Sequence, residues 1–395
     1  MMRRIIFFLA ILAVVVACSD DDSFGTDSGN RLTFSADTVK LDTVFSRIPS
    51  STRTFWVYNR SHDGIRMQSI RLARRNQTGF RVNVDGLYLD NSNGSQVNNV
   101  ELRRGDSLLV FVELTSAEAM QQSPKAIDDN LVFTLESGIE QSVNLRAWIW
   151  DATKISNLVV KSDTTIESAT PIIIYGGLRV DSAATLTIRN TTLYFHDGAG
   201  IDVYGRLLTD SVTMRGDRLD RMFDYLPYDR VSGQWLGVRL RSSSTGNELH
   251  RTEIRNPRYG IEIDSASIDS TRYRLSAYRC VIHNCDGTGL HSVSANVRLS
   301  YCQLSNTLGH CIEIVGGMAE ISHCTLAQFY PFSATRGAAL KFSNHLDDSD
   351  IPLLRLLCYD SIVTGYDEDV ITGTARDTVA AFEYRFANSL LSTPE

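Results

Sequence analysis

The chain has 395 residues, of which 43% are hydrophobic and 22% charged, and its net charge at pH 7 is −7. This length allows more than one folded core. The negative net charge argues against a nucleic-acid partner, which would require a basic surface.

The first predicted element is a targeting segment at residues 1–17. Arg3 and Arg4 form a basic start, and an apolar run follows up to Cys18. That run is shorter than the about 20 residues that a membrane-spanning helix needs. The Val-Val-Ala-Cys sequence ending at Cys18 resembles the lipobox of bacterial lipoproteins. The resemblance implies a lipid on Cys18, which would attach the protein to the outer membrane of a Gram-negative bacterium. The alternative is an ordinary cleaved signal with a chance cysteine.

Residues 18–30 are predicted to be a flexible tether because they are polar and rich in Ser, Asp and Gly. The acidic run Ser19–Asp22 is similar to the surface-export tag of some Gram-negative lipoproteins, which implies a location on the cell surface. A solvated acidic tether is the other interpretation. Stable membrane attachment would come from more than one acyl chain at the anchor.

Residues 31–152 are predicted to form a β-sandwich. Short runs of alternating apolar residues, many of them β-branched or aromatic, are separated by turn sequences such as Asp85-Gly86. The predicted strands are Thr38–Phe45, Thr54–Asn59, Ile65–Leu72, Phe80–Val84, Leu108–Leu114, Leu131–Leu135 and Val143–Trp150. Their number and spacing are typical of an immunoglobulin-like sandwich. The segment resembles bacterial immunoglobulin-like modules, which implies a spacer or docking role.

A repeat of 22 residues dominates the second half of the chain. Cys280, Cys302 and Cys324 recur at this interval, and so do the apolar residues and the Asn or Gln around them. A fixed period of this length predicts a solenoid in which each coil stacks on the previous one. Residues 153–395 are therefore assigned to this solenoid.

The repeat geometry resembles the right-handed parallel β-helix family, which includes pectate lyases, polygalacturonases and many exported proteins without known activity. The fold class is thus all-β, with the sandwich followed by the β-helix. The calcium-binding carboxylates and the arginine base of the pectate lyase mechanism have no counterpart that can be placed in this sequence, and this puts lyase activity in doubt.

The repeated polar residues have mainly structural interpretations. The Cys280 column is predicted to point inward as small buried thiols. A zinc site using Cys280, His283 and Cys285 is the alternative, although adjacent positions on a strand point in opposite directions. The asparagines at positions 256, 284 and 306 are predicted to hydrogen-bond from coil to coil and to satisfy backbone groups of the turn.

One outward-facing column is predicted to be the candidate active surface. Each member lies between two inward apolar residues, and the column contains Asp202, Arg239, Glu262, His291, Glu313 and Lys341. Two strand spacings would separate Glu262 from Glu313 by about 9–10 Å. Inverting glycoside hydrolases hold their two carboxyls about 6.5–9.5 Å apart. His291 would lie between them, and Arg239 or Lys341 would bind a uronate. A charge ladder that only stabilises the sheet is the alternative.

The long insertion at residues 215–235 is the second candidate. It interleaves charged residues with aromatic ones, and the predicted ligand-binding residues are Arg218, Tyr225, Tyr228 and Trp235. Exposed aromatics beside planar polar groups suit glycans and protein partners. A loop folded back on the sheet, with its charges paired, is equally compatible with the sequence.

These features favour a cell-surface lipoprotein that presents a rigid β-helix as a non-catalytic glycan-binding, protein-binding or structural module. The alternative is a polysaccharide-acting enzyme, similar to a glycoside hydrolase, that uses Glu262, His291 and Glu313. The sequence predicts no cofactor and no metal, because none of the common nucleotide- or metal-binding motifs is present.

Overall fold

The computed structural model describes residues 23–118, 123–376 and 379–394. The predicted signal segment and Cys18 lie outside the described residues. The chain divides between Trp150 and Asp151 into two compact units. In the described part of the chain, no helix has the length and apolar character needed to cross a bilayer.

The N-terminal unit contains two five-stranded sheets. The strands of the first sheet, in spatial order, are Leu32–Phe34 (β1), Arg53–Asn59 (β3), Ser107–Leu114 (β8), Phe80–Val84 (β5) and Leu87–Tyr88 (β6). The strands of the second are Thr38–Phe45 (β2), Glu140–Trp150 (β10), Lys125–Leu135 (β9), Ile65–Leu72 (β4) and Gln96–Leu102 (β7). Neighbouring strands are antiparallel except β2 and β10, which are parallel. Short 3₁₀ helices occupy Arg75–Gln77 and Asn91–Asn93.

Alternation of apolar and polar residues explains how the two sheets form one core. Along β8 every second side chain is buried, and the same period continues in β3, whereas an irregularity between Met67 and Ser69 shifts it in β4. Val57 and Val110 of the first sheet belong to the same buried cluster as Leu41 and Leu131 of the second. All seven predicted strands are present in the structure. The missed strands β1, β6 and β7 are short or polar, so alternation does not mark them. That this β-sandwich is an immunoglobulin-like domain stays a prediction.

The C-terminal unit is a stack of short strands. Their bounds are Thr153–Val160 (β11), Thr164–Glu167 (β12), Ile172–Val180 (β13), Thr185–Phe195 (β14), Ile201–Val203 (β15), Arg206–Gly216 (β16), Arg221–Phe223 (β17), Leu226–Pro227 (β18), Val238–Leu240 (β19), Asn247–Arg255 (β20), Ile261–Ile263 (β21), Leu275–Tyr278 (β22), Val281–Cys285 (β23), Leu290–Val293 (β24), Asn296–Ser300 (β25), Gln303–Thr307 (β26), Ile312–Val315 (β27), Gly317–Ser322 (β28), Thr325–Gln328 (β29), Leu340–Ser343 (β30), His345–Leu346 (β31), Ser349–Asp350 (β32), Leu353–Tyr359 (β33), Ile362–Gly365 (β34), Ile371–Thr374 (β35), Phe382–Ala387 (β36) and Leu390–Leu391 (β37). A 3₁₀ helix spans Tyr228–Arg230.

Parallel pairing between successive coils joins these strands into a solenoid. Leu275 pairs with Val297, and Val297 pairs with Ala319, so residues 22 apart lie above one another as the repeat predicts. Two hairpins, β17–β18 and β31–β32, stand outside this sheet. The inward residues form one continuous apolar cluster from Val160 to Val370. We call the sheet that contains β15, β19, β21, β24, β27, β30 and β35 sheet A.

The cysteine column has a role that the sequence did not indicate. The backbone N–H of Cys280 donates to Sγ of Cys302 at 3.5 Å, and the N–H of Cys302 donates to Sγ of Cys324 at 3.4 Å. The N–H of Cys324 continues the series to Oγ of Ser361 at 3.0 Å. The buried thiols therefore fill space and also accept the inward N–H groups of a turn, which would otherwise lack partners.

The asparagines at the next turn depart from the prediction in their hydrogen bonds. Asn256, Asn284 and Asn306 all have positive φ, of 63°, 55° and 54°, which asparagine tolerates better than most residues. Asn256 and Asn284 bond to backbone carbonyls, as one part of the prediction required, but among the described residues no hydrogen bond joins the asparagine side chains of successive coils. Nδ2 of Asn256 donates to the carbonyls of Asp229 and Val231, both at 2.9 Å, so it holds the inserted loop.

Candidate functional site

The structure places the predicted outward column in register on sheet A. Parallel pairing joins the six residues in the order Asp202, Arg239, Glu262, His291, Glu313 and Lys341. Glu262 and Glu313 lie two strands apart, a backbone separation of about 9–10 Å. His291 occupies the strand between them.

Glu313 is held by basic neighbours on both sides. Nζ of Lys341 lies 2.9 Å from Oε1 of Glu313, and Nε2 of His291 lies 3.8 Å from Oε2. The Glu313 side chain is only 19% exposed. Lys341 is therefore paired with Glu313 on its own sheet, which leaves it less available to bind a uronate than the sequence suggested.

Glu262 lies in a different environment. Its side chain is half-buried, and within the described residues it takes part in no hydrogen bond or ion pair. It lines a groove of about 430 Å³. A carboxylate that has no protein partner and faces a groove is available to a ligand or to a reacting group.

We call this feature the arginine groove. Its lining consists of glycine-rich backbone and the charged and aromatic side chains of Arg179, Asp202, Arg239, Arg241, Arg258, Tyr259 and Glu262. Because glycines have no side chains, the backbone itself forms the floor of the groove. At Gly237, where φ is 101°, an added Cβ would lie 1.7 Å from the carbonyl oxygen of Tyr259. A side chain at this position would therefore displace the turn that carries Tyr259.

Ion pairs on the groove floor fix two of its arginines. Arg241 contacts Asp202 at 2.6 Å, and Arg239 contacts Asp264 at 2.9 Å. Arg258 is exposed and has no ion pair among the residues described. The floor thus presents guanidinium groups held in place and one that is available for an anion.

The carboxyls that share the groove are not the pair chosen from the sequence. Asp202 and Glu262 both line it and are two strands apart, whereas His291 and Glu313 are absent from its lining. Sequence reasoning missed Arg258 and Tyr259 because they belong to a turn outside the repeat. The sequence signal for this turn was Pro257, which precedes them. In the structure Pro257 forms an isolated bridge to Trp235.

Trp235 is a core residue, so its assignment to ligand binding is wrong. It is 1% exposed and stacks on Phe195 with ring centroids 4.3 Å apart. Its Nε1–H donates to the carbonyl of Arg255 at 2.9 Å. The tryptophan therefore fixes the end of the insertion to the solenoid core.

Arg218 and Tyr228, also predicted to bind a ligand, contact the insertion itself. Arg218 pairs with buried Asp220 at 2.7 Å, and its guanidinium lies 4.3 Å from the ring centroid of Tyr228. These contacts stabilise the loop, and ligand binding by Arg218 and Tyr228 stays a prediction. Tyr225 differs, because it is 78% exposed and remains a candidate.

Two charged pairs, each with one buried member, attach the insertion to the solenoid. Arg215 contacts Asp229 at 2.8 Å, and Nδ1 of His196 lies 2.7 Å from Asp217. Burial raises the pKa of Asp217, although the hydrogen bond from His196 opposes this shift. Burial lowers the pKa of Arg215. Arg215 and Asp217 are both over 90% buried. The Arg-Gly-Asp tripeptide at residues 215–217 is therefore not exposed at the surface.

The structure offers no support for zinc binding at the cysteines. Cys280 points into the core, whereas Nε2 of His283 lies on the outside, 3.1 Å from Glu253. Burial raises the pKa of Cys285, which keeps this thiol neutral. Among the residues that the structure describes, no cluster of three His, Cys, Asp or Glu side chains is suited to a metal ion.

Comparison with known proteins supports the fold. Residues 151–326 match the family model described as "Right handed beta helix region". This part of the chain is a right-handed β-helix. No curated protein sequence matches the chain.

Similarity to solved structures is weak. The catalytic unit of a GH87 α-1,3-glucanase from Streptomyces thermodiastaticus is 12% identical, with 84% of this chain and 72% of that chain covered and a TM-score of 0.30. The Agl-KA catalytic domain is 10% identical, with 85% and 75% covered and a TM-score of 0.29. The Vibrio cholerae VesB protease is 14% identical, with a TM-score of 0.20. The match covers 31% of this chain and only 33% of that protease. Similarities at this level assign no activity.

Proposed function

We propose that the right-handed β-helix binds an acidic polysaccharide in the arginine groove. The observation that carries the proposal is the groove itself, which collects Arg239, Arg241 and Arg258 beside Glu262. Its volume of about 430 Å³ lies within the range of small-ligand sites. Guanidinium groups bind carboxylates in a bidentate manner, so uronate-containing chains are the best chemical match.

The shape of the solenoid suits an extended ligand. Successive coils repeat a similar surface along the axis, which gives a long, stiff platform. Tyr259 and Leu236 are exposed at 40% and 43% on one side of the groove, where they offer apolar contacts to sugar rings. The proposed complex would therefore combine ion pairs on the floor with ring contacts at the side.

Hydrolysis of the bound polysaccharide is the second candidate. It is favoured by Glu262, the groove carboxyl without a protein partner, and by Asp202, two strands away in the same groove. A backbone separation of about 9–10 Å is near the carboxyl spacing of inverting glycoside hydrolases. Glu313, two strands away in the other direction, is the alternative partner of Glu262.

We also propose that a lipid on Cys18 holds the protein at the outer membrane, with the groove displayed on the cell surface. The N-terminal unit would act as a spacer between the anchor and the β-helix. Support comes from the lipobox-like sequence and from the acidic residues that follow Cys18.

Native affinity gels containing polygalacturonate or alginate test the binding proposal. We expect wild-type protein to be retarded and Arg258→Ala to bind at least tenfold more weakly, because a charge-assisted hydrogen bond contributes about 1.5–3 kcal/mol. Arg189→Ala is the matched control, since Arg189 is exposed and paired with Glu167 outside the groove. Equal loss in both variants, or no retardation of the wild type, would show that the groove is not the binding site.

Reducing-end release from the same polysaccharides tests hydrolysis. We expect wild type to release reducing ends and Glu262→Gln to release none while it is still retarded in the gels. Asp202→Asn and Glu313→Gln then identify the partner carboxyl, because loss of turnover should follow only one of them. Retardation without release by wild type would make the protein a binding module.

A further inference from the structure

Two loops that are far apart in sequence meet on one side of the β-helix. The first is the insertion that carries hairpin β17–β18, and the second connects β29 to β30. A hydrogen bond of 2.8 Å joins Ser232 of the first loop to the hydroxyl of Tyr330 in the second. Between the loops lies a cleft of about 510 Å³, which we call the aromatic cleft.

Aromatic rings line the aromatic cleft and remain open to solvent. Tyr225 is 78% exposed and Phe332 is 51% exposed, and Phe329 contributes a third ring. Each ring is supported by a neighbour. Phe223 stacks on Tyr225 at 5.7 Å, and Tyr330 contacts Phe332 edge-on at 5.7 Å. Exposed rings braced in this way are positioned before any ligand arrives.

Amide groups lie beside these rings. Asn284 and Asn306 belong to the cleft lining, on the asparagine turns of two successive coils. Arg230 adds a guanidinium that is exposed and, in the described part of the chain, has no ion pair. The lining contains no Asp or Glu, and its one histidine, His283, is paired with Glu253 outside the lining at 3.1 Å. It therefore combines ring faces with planar hydrogen-bonding groups and lacks a carboxyl for acid–base chemistry.

We infer that the aromatic cleft is a second carbohydrate-binding site, one that takes neutral sugars and performs no catalysis. The C–H face of a pyranose stacks on an aromatic ring, while its hydroxyls bind amides and guanidinium groups. The lining of the aromatic cleft contains one arginine, Arg230, whereas that of the arginine groove contains four, so an anionic sugar is the poorer match here. The two sites share no lining residue, so the inference holds whether or not the groove binds polysaccharide.

The test uses native affinity gels containing three neutral polysaccharides: mixed-linkage β-glucan, xylan and galactomannan. The variants are Tyr225→Ala, Phe332→Ala and Asn306→Gly. Glycine is chosen at position 306 because it keeps the positive φ of 54° while removing the amide. Tyr225→Phe retains the ring. Tyr301→Ala is the matched control, since Tyr301 is 52% exposed and does not line the cleft.

We expect at least one gel to retard the wild type, and each of the first three variants to bind about tenfold more weakly, equivalent to about 1.4 kcal/mol. Tyr225→Phe and Tyr301→Ala should bind like wild type. Circular dichroism of every variant checks that the β-helix is intact, and any of the three cleft variants that folds is sufficient for the test. The inference is overturned if none of the three gels retards wild type, or if Tyr301→Ala loses as much binding as Phe332→Ala.

Discussion

His310 illustrates how single residues respond to their position on the solenoid. It lies beside the outward column, where burial lowers the pKa of its imidazole. Its Nδ1 accepts the backbone N–H of Ala338 at 2.8 Å, which requires that nitrogen to be unprotonated. An unfolded histidine has a pKa of about 6.5. The folded state therefore binds fewer protons than the unfolded state just below that pH.

This difference predicts a pH dependence of stability. Because the folded pKa is the lower one, the free energy of unfolding of the C-terminal unit should decrease as pH falls below about 6.5. His310→Gln, which can still accept the Ala338 N–H but cannot titrate, should reduce the decrease. Denaturant unfolding between pH 7.5 and pH 5 measures the effect. His250→Gln, an exposed histidine of the same unit, is the control, and an equal change in both variants would contradict the prediction.

At the scale of elements, the insertion is anchored at its end and exposed at its tip. Trp235 packs in the core, and Arg215 of β16 pairs with Asp229 of the loop. The hairpin β17–β18 then carries Phe223 and Tyr225 into solvent. The two interpretations of this loop, folded back or displayed, therefore apply to different parts of it.

We predict that Trp235→Ala destabilises the C-terminal unit by about 3–5 kcal/mol, because it removes a large buried ring and leaves a cavity. Leu236→Ala is a matched control, since the adjacent Leu236 is 43% exposed. That substitution should change the free energy of unfolding by less than about 1 kcal/mol. Chemical denaturation of both variants measures the difference. Similar small losses in both would mean that Trp235 does not support the core.

At the scale of the whole molecule, two units with separate cores follow a lipobox-like segment. A surface role requires that the chain be attached to the membrane, and lipid chains on Cys18 would provide that attachment. The anchor and the binding sites can be tested independently, because the groove and the cleft belong to the C-terminal unit.

We predict that Cys18→Ala prevents lipidation, so that the variant is lost from the membrane fraction. Mass spectrometry should find acyl chains on the N-terminal peptide of wild type and none on that of the variant. Ser19→Ala should remain acylated. Accessibility to an added protease on intact cells then tests surface display. Acylation that persists in Cys18→Ala would contradict the proposed anchor.

Much of the architecture follows from local spacing. The period of two residues along each strand and the period of 22 along the chain are visible in the residue order, and parallel stacking turns the second period into contact. For this reason the register of the coils from Leu275 to Gln328 could be predicted. The members of the outward column lie at unequal intervals, and the inward apolar residues on each side of every member predicted that column. The same reasoning could not find β7, whose Asn-rich sequence hides the alternation.

The residue order alone was sufficient for the all-β fold, the register of the 22-residue coils and the column that contains Glu262, because each depends on the alternation of neighbouring residues or on the repeat. The arginine groove and the aromatic cleft depended on tertiary contacts. Arg258 lies in a turn outside the repeat, and the cleft requires Ser232 to meet Tyr330, 98 residues later. Side chains in irregular loops have no period that sets their direction, so only packing determines whether they face the core, as Trp235 does, or solvent, as Tyr225 does.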